Sequence, residues 1–380
     1  MGSLSALLQG IATSAGFGGG STAIQNYAIN GNFAIWQRTT AAQTYGAQIA
    51  YHADRFAWAA GTITGTVKSE MIAVTNFSNS SILPKSCGFM QRYEVQTAQS
   101  SLSANSTAGP WYKVEGFDLA RMIDAGAKTS GINISFYVGA PAGTYTVELT
   151  NGSTDNRYFT TYVVSSGSTW QHVSLNISGA DFTTGLGSGT WAYNNTTGLL
   201  IRFWLAAGTT SQGGSQNTWT GSTPNVPAGQ FNLLGTTLNQ WGITGLMISV
   251  GNTTPVFVGR GLSFDQEVQL CRRYYTSSYQ VNEAAGTATT RGQFTCTWLS
   301  GNRPKSNIFF KNTMRAVPTV TIYNVVTGAT GSMRGETGTD VTAGVDSADI
   351  GTESFSVYQA TLSGTNAAGA YGNYTADAEL

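Results

Sequence analysis

The strongest constraint on this chain is the spacing of its apolar residues, which alternate with period two in short runs and stop at clusters of Gly, Ser, Asn and Thr. Successive side chains of a strand point to opposite faces, so such runs read as half-buried strands. Ile132, Ile134, Phe136 and Val138 share one face, Pro141-Ala142-Gly143 supplies a turn, and Thr144 to Leu149 runs back. Similar runs occur from Arg157 to Val164, Trp170 to Ile177, Leu199 to Leu205 and Ile243 to Val250. Many short strands joined by polar turns predict a mainly β chain with a jelly-roll β-sandwich over residues 26–260. Beyond it, Phe294 to Trp298, Thr319 to Tyr323 and Phe355 to Tyr358 predict a small C-terminal β-domain over residues 282–380.

Two segments break the alternation. At Ser263 a hydroxyl and the Gln266 side chain stand in capping-box register, and Phe264, Val268, Cys271 and Tyr275 mark one apolar face. This predicts a linker helix within residues 261–281. Near the start, Leu4, Leu7, Leu8 and Ile11 fall at i, i+3, i+4 and i+7 before Gly16-Phe17-Gly18-Gly19-Gly20-Ser21 ends the pattern. A helical stripe too short to stand alone, followed by a glycine tether, suits a docking element over residues 1–25; a disordered tail is the alternative.

Charged residues make up 10% of the chain, against ~25% in an average soluble protein. The net charge is zero, which argues against nucleic-acid binding because no basic surface is available for phosphates. Three cysteines at irregular spacing read as buried reduced thiols, and two histidines cannot build a His-rich metal centre. No cofactor motif is present: there is no Walker loop, nucleophile elbow or complete dinucleotide fingerprint. No apolar run is long enough to insert in a membrane, and the first residues lack a basic, apolar secretory leader.

Four short motifs carry a family resemblance. Asn30-Gly31-Asn32-Phe33 with Trp36-Gln37-Arg38, Ala53-Asp54-Arg55-Phe56, Gln91-Arg92-Tyr93-Glu94, and Glu267 followed by Leu270 to Tyr275 resemble the lectin-like jelly-roll domains of bacteriophage and prophage fibre proteins. Ile243 to Phe257 and the closing Tyr374 to Leu380 are similar to the same family's later elements. Phe56 stands where the family usually has Trp, and Arg272 where it usually has Gln. The resemblance implies a homotrimeric tail-fibre, head-fibre or other virion appendage, assembled in the host cytoplasm. It further implies adhesion to host surface glycans without enzymatic activity. A structural decoration or adaptor protein is one alternative, and a glycan depolymerase another. Phe33, Trp36, Asp54, Arg55 and Phe56 read as structural, with Asp54 and Arg55 as an internal ion pair or register lock.

An exposed aromatic ring can stack on a sugar's apolar face while amides meet its hydroxyls. Trp191, Tyr193 and Trp219 lie in two long polar connections, Gly179 to Asn195 and Gly208 to Gln230, beside Asn194 and Asn217. Trp111 with Tyr112 is a third candidate, whereas Trp58, Trp170, Trp204 and Trp241 fall in core-like strand positions. As loop residues, Trp191 and Trp219 are expected to contribute little to stability; burial against a neighbouring protomer is the competing role for them. A depolymerase would need two facing carboxylates, and the loose pairs Asp118 with Asp124, Glu148 with Asp155, and Asp346 with Asp349 do not stand out by spacing. Leu4, Leu7, Leu8 and Ile11 are expected to fix the protein to other virion proteins. Deleting residues 1–20 should therefore leave a folded protein that no longer enters particles, as read by immunoblotting purified virions; normal incorporation refutes the attachment role.

Overall fold

The computed structural model describes residues 25–221, 223, 226–253, 256–296, 305–345, 349–359 and 369–380. Leu4, Leu7, Leu8, Ile11, Trp298 and Asp346 lie outside the described residues. The sandwich begins with β1 (Gln43–Tyr45), β2 (Ile49–Tyr51), β3 (Phe56–Gly61), β4 (Thr66–Ala73), β5 (Phe89–Thr97), β6 (Thr107–Glu115) and β7 (Ile132–Gly139). It continues with β8 (Gly143–Asn151), β9 (Arg157–Val164), β10 (Gln171–Ile177), β11 (Thr197–Trp204), β12 (Ala206–Ala207), β13 (Trp219–Thr220) and β14 (Gln240–Val250). One sheet has the order β1-β4-β5-β14-β7-β10, the other β13-β9-β8-β11-β6-β3-β2 with β12 beside β6. All these pairings are antiparallel, and sequence-distant neighbours such as β5 and β14 give the crossovers of a jelly roll.

Inward-facing aromatics join the two sheets. Trp58, Tyr93, Trp241, Phe203 and Phe136 form a continuous chain with centroid spacings of 5.2, 6.2, 5.6 and 5.1 Å. Each such contact contributes ~0.5–1.5 kcal/mol beyond area burial. The buried indoles are also satisfied: Trp241 Nε1 donates to the Tyr162 hydroxyl at 3.0 Å and Trp58 Nε1 to the Gly46 carbonyl at 2.9 Å. Trp58, Trp170, Trp204 and Trp241 are all buried, as their strand positions predict. The three cysteines are free and buried. Among the described residues no helix is long and apolar enough to cross a membrane.

The helix Phe264–Arg272 starts at the expected capping box, with Ser263 Oγ accepting from the Gln266 backbone at 3.3 Å. Its C-terminal end leads directly into β15 (Tyr275–Ser277), so the third sheet begins inside the segment read as linker. That sheet continues with β16 (Phe294–Cys296), β17 (Lys305–Phe309), β18 (Thr319–Asn324), β19 (Ser332–Gly335), β20 (Asp340–Val345), β21 (Ser354–Gln359) and β22 (Ala370–Asp377). β22 is its hub, pairing with β15, β16, β18 and β19. A second core of Phe294, Phe310, Met333, Phe355 and Tyr374 lies beneath it.

The opening motif and the last four residues of the chain meet at the base of the sandwich. Gly31 is required there, because a Cβ would sit 2.1 Å from the Leu246 carbonyl oxygen. Asn30 adopts a left-handed φ of 57° and its amide ties the Ile35 and Asp54 carbonyls at 2.9 and 3.1 Å. This turn delivers Gln37 and Arg38 to Asp54: Gln37 donates through its backbone at 3.1 Å, and Arg38 lies at 3.7 Å. Arg55 is fully buried, ion-paired to Glu379, and stacked 3.4 Å from the centroid of Tyr274. Arg315 adds donors to the Glu379 and Ala378 carbonyls at 2.8 and 2.5 Å. Removing one partner of a buried pair strands the other charge, which costs about 3 kcal/mol or more. Glu379→Gln should lower unfolding stability by about 3 kcal/mol in urea titration, and removing Arg55 and Glu379 together should cost less than removing Glu379 alone.

Candidate functional site

The connection after β10 is not an open loop over its first half. Ser178 caps a helix, Gly179–Leu186, by accepting from the Asp181 backbone at 3.0 Å. The chain then folds back and is laced to the β8–β9 turn. Asn151 donates to the Thr190 carbonyl at 3.0 Å, Asn156 to that of Gly185 at 2.8 Å, and Asp155 accepts from the Thr190 backbone at 3.1 Å. This lacing fixes Trp191, whose indole N–H donates to the Ser188 and Gly185 carbonyls at 2.8 and 3.0 Å. Trp219 arrives on β13, the edge strand beside β9, and its N–H donates to the Asp181 carbonyl at 2.8 Å.

The structure brings these two rings together edge to face, 5.7 Å apart at 73°. Trp219 also leans on Tyr158 at 5.3 Å and covers Gly185, where a Cβ would lie 2.2 Å from its ring. Both indoles are half-buried and packed against the sandwich core. The expectation that they contribute little to stability is therefore corrected: they clamp the capped helix to the sheet edge. Tyr193 follows on the surface with 47% of its area exposed. Asn194 uses its side chain to accept from Thr196 and its carbonyl to accept from Phe117 at 3.0 Å. Asn217, at a left-handed φ of 54°, is exposed two residues before Trp219.

Trp111 lies elsewhere. It sits on β6, four strands from β13, which is roughly 19 Å at the usual spacing between strands. Its cross-strand neighbours are Ala57 and Arg202, and Lys113 Nζ stands 4.8 Å from its ring. Arg202 stacks at 4.1 Å over Trp204, and burial lowers its pKa to about 10. Glu148 lies opposite Arg202, ion-paired to Arg157 and accepting from Trp204 Nε1 at 2.8 Å. Sequence reasoning named Trp111, Trp204 and Glu148 separately and missed Arg202, which joins them. The signal was available in the outward positions of strands that were read only for their inward faces.

Four of the carboxylates considered for hydrolysis are engaged by other groups rather than by each other. Asp118 pairs with Arg121 at 2.9 Å, Asp349 with Lys305 at 2.6 Å, Glu148 with Arg157, and Asp155 with the loop amides. Among the described residues no three His, Cys, Asp or Glu side chains are grouped to hold a metal ion. His52 is buried against Ser69 Oγ at 2.9 Å, and burial lowers its pKa to about 4. His172 packs on Tyr137 at 4.7 Å.

No protein-family model and no curated protein matches the chain. Among solved structures, the family 11 carbohydrate-binding module of the cellulosomal cellulase Lic26A-Cel5E of Clostridium thermocellum aligns at 10% identity and a TM-score of 0.28. That alignment covers 55% of this chain and 96% of the module. A family 11 module from the same organism in complex with a beta-1,3-1,4-mixed-linked tetrasaccharide aligns at 8% identity over 56% and 98%, with a TM-score of 0.27. The enzymatically active domain of bacteriophage CBA120 tailspike protein 4 aligns at 9% over 59% and 21%, with a TM-score of 0.20. Scores of this size do not define a common fold.

The Asp54 carboxyl gives the base of the sandwich a pH signature. Burial pushes its pKa up to about 7, against the opposing pull of Arg38 and the Gln37 amide. A carboxyl raised in the folded state favours folding while protonated, and that contribution is lost as pH rises from about 4 through 7. In urea titrations, the stability of Asp54→Asn relative to the natural protein should thus increase across this window and level off above it. A pH-independent difference would contradict the assignment.

Proposed function

We propose that this protein is a non-enzymatic, glycan-binding appendage of a phage virion, with Trp191, Tyr193 and Trp219 on its adhesive surface. The observation that carries this reading is the pair of half-exposed indoles held at fixed angles by backbone hydrogen bonds, with an exposed tyrosine two residues after Trp191. An aromatic surface that is already rigid loses little entropy when a sugar stacks on it. Asn194 and Asn217 stand near these indoles in sequence, and Trp111 belongs to the separate sheet face. The separate engagement of Asp118, Glu148, Asp155 and Asp349 favours binding over hydrolysis, which needs two cooperating groups.

Covering ~80 Å² of one aromatic face at ~25 cal/mol per Å² supplies about 2 kcal/mol, so one site is weak. Three or more copies on a particle raise apparent affinity by ~10²- to 10⁴-fold when they engage together. This is why a homotrimeric appendage anchored through residues 1–25 suits the site. On arrayed bacterial surface polysaccharides, Tyr193→Ala should weaken binding at least threefold with an unchanged melting temperature. Trp191→Ala should weaken binding and also lower stability by about 1–3 kcal/mol, since half of a core-sized side chain is removed. Undiminished binding in both variants removes this surface from the function, and release of sugar fragments from the array assigns a depolymerase instead.

A further inference from the structure

A cleft of about 620 Å³ opens between the opening motif and the third sheet. Its floor is three hydrogen-bonded strands. Tyr275 on β15, Asp377 on β22 and Thr319 on β18 form one cross-strand row, and Thr375 and Thr321 form the next. The half-buried ring of Tyr323 closes one end, braced at 6.0 Å by Tyr279. Arg38 forms the wall. Its guanidinium stacks 3.9 Å from the Tyr275 ring centroid and holds Asp377 at 3.0 Å, while its buried Nη1 makes no hydrogen bond. Asp377 keeps 42% of its side chain exposed, so the cleft presents an accessible carboxylate beside a fixed cation.

We infer that this cleft is a second binding site, for a short segment of neutral saccharide. The volume falls within the 300–1,000 Å³ typical of small-ligand sites, which form preferentially where two structural units meet. Charge decides the ligand class. Arg38 already faces Asp54, Asp377 and Glu379 at 3.7, 3.0 and 3.6 Å, so its charge is matched; an anionic ligand would meet the exposed Asp377 carboxylate and a cationic one the guanidinium. A sugar hydroxyl both donates and accepts, which matches threonine hydroxyls and an exposed carboxylate. The Tyr323 ring offers the apolar contact that a pyranose face needs. None of these residues belongs to the Trp191 and Trp219 surface.

The test uses the full chain carrying Tyr193→Ala, which weakens the loop surface, on an array of neutral and uronic-acid-bearing bacterial polysaccharides. Binding to neutral polysaccharides should persist in this background. Adding Thr319→Trp, at an exposed floor position, should fill the cleft and reduce that binding at least tenfold with an unchanged melting temperature. Thr321→Ala removes one hydroxyl and should weaken it about threefold, as expected for one lost hydrogen bond, and it decides the matter if the tryptophan variant does not fold. Loss of all neutral binding in the Tyr193→Ala background overturns the cleft site, as does binding indifferent to both threonine substitutions. An unaltered Tyr193→Ala profile combined with cleft-dependent binding would instead overturn the loop site alone.

Discussion

Two arginines, Arg55 buried and Arg38 partly buried, organise this molecule. Arg55 in the interior and Arg38 at its margin leave the sandwich base with cationic groups that need partners, and Asp54 neutralises only part of that charge. The remainder comes from Asp377 and Glu379, at the other end of the sequence. The third sheet is thus held against the sandwich by charge as well as by the helix Phe264–Arg272, whose neighbour Arg273 donates to Glu115 at 2.6 and 2.9 Å. Tyr274 and Tyr275 take part in both attachments, with one ring under each arginine. The polar cleft exists because this attachment leaves Arg38 at a boundary rather than inside a core.

Much of the architecture could be read from residue order. Period-two alternation located β7, β8, β9, β10, β11, β14, β18 and β21 to within a few residues, since a sheet with one face on the core leaves that imprint. The capping box marked the linker helix because Ser263 and Gln266 act within one turn. What could not be read was pairing across long separations. Asp54 and Arg55 were legible as structural, yet nothing in their neighbourhood named Glu379, 324 residues away from Arg55, as the partner. The helix Gly179–Leu186 was read as loop because its glycines and threonines have poor helical propensity, and tertiary contact with Trp219 outweighs that preference.

The candidate sites were legible to different degrees for the same reason. Trp191 and Trp219 could be selected as bulky residues in polar connections, but their role as a clamp depends on Asp181, Ser188 and Gly185 carbonyls that only folding brings near. Rigidity and adhesion are compatible here. A ring whose edge is tied to backbone can still offer a face, and its orientation then repeats identically in each copy. The cleft left no local signature at all, because it is assembled from strands that are neighbours in space and distant in sequence.

The position of Glu379 also has a consequence for how the chain matures. Until residues 377–380 are synthesised, Arg55 has no carboxylate partner and the base of the sandwich cannot close around it. Contacts of such long sequence separation form late and slowly, since chain entropy must be lost before they bring any gain. On a ribosome the sandwich strands can pair early while their base stays open. Synthesis of residues 377–380 is then the event that seals the domain, and a chain released before them would carry an exposed, unsealed edge for quality control to recognise.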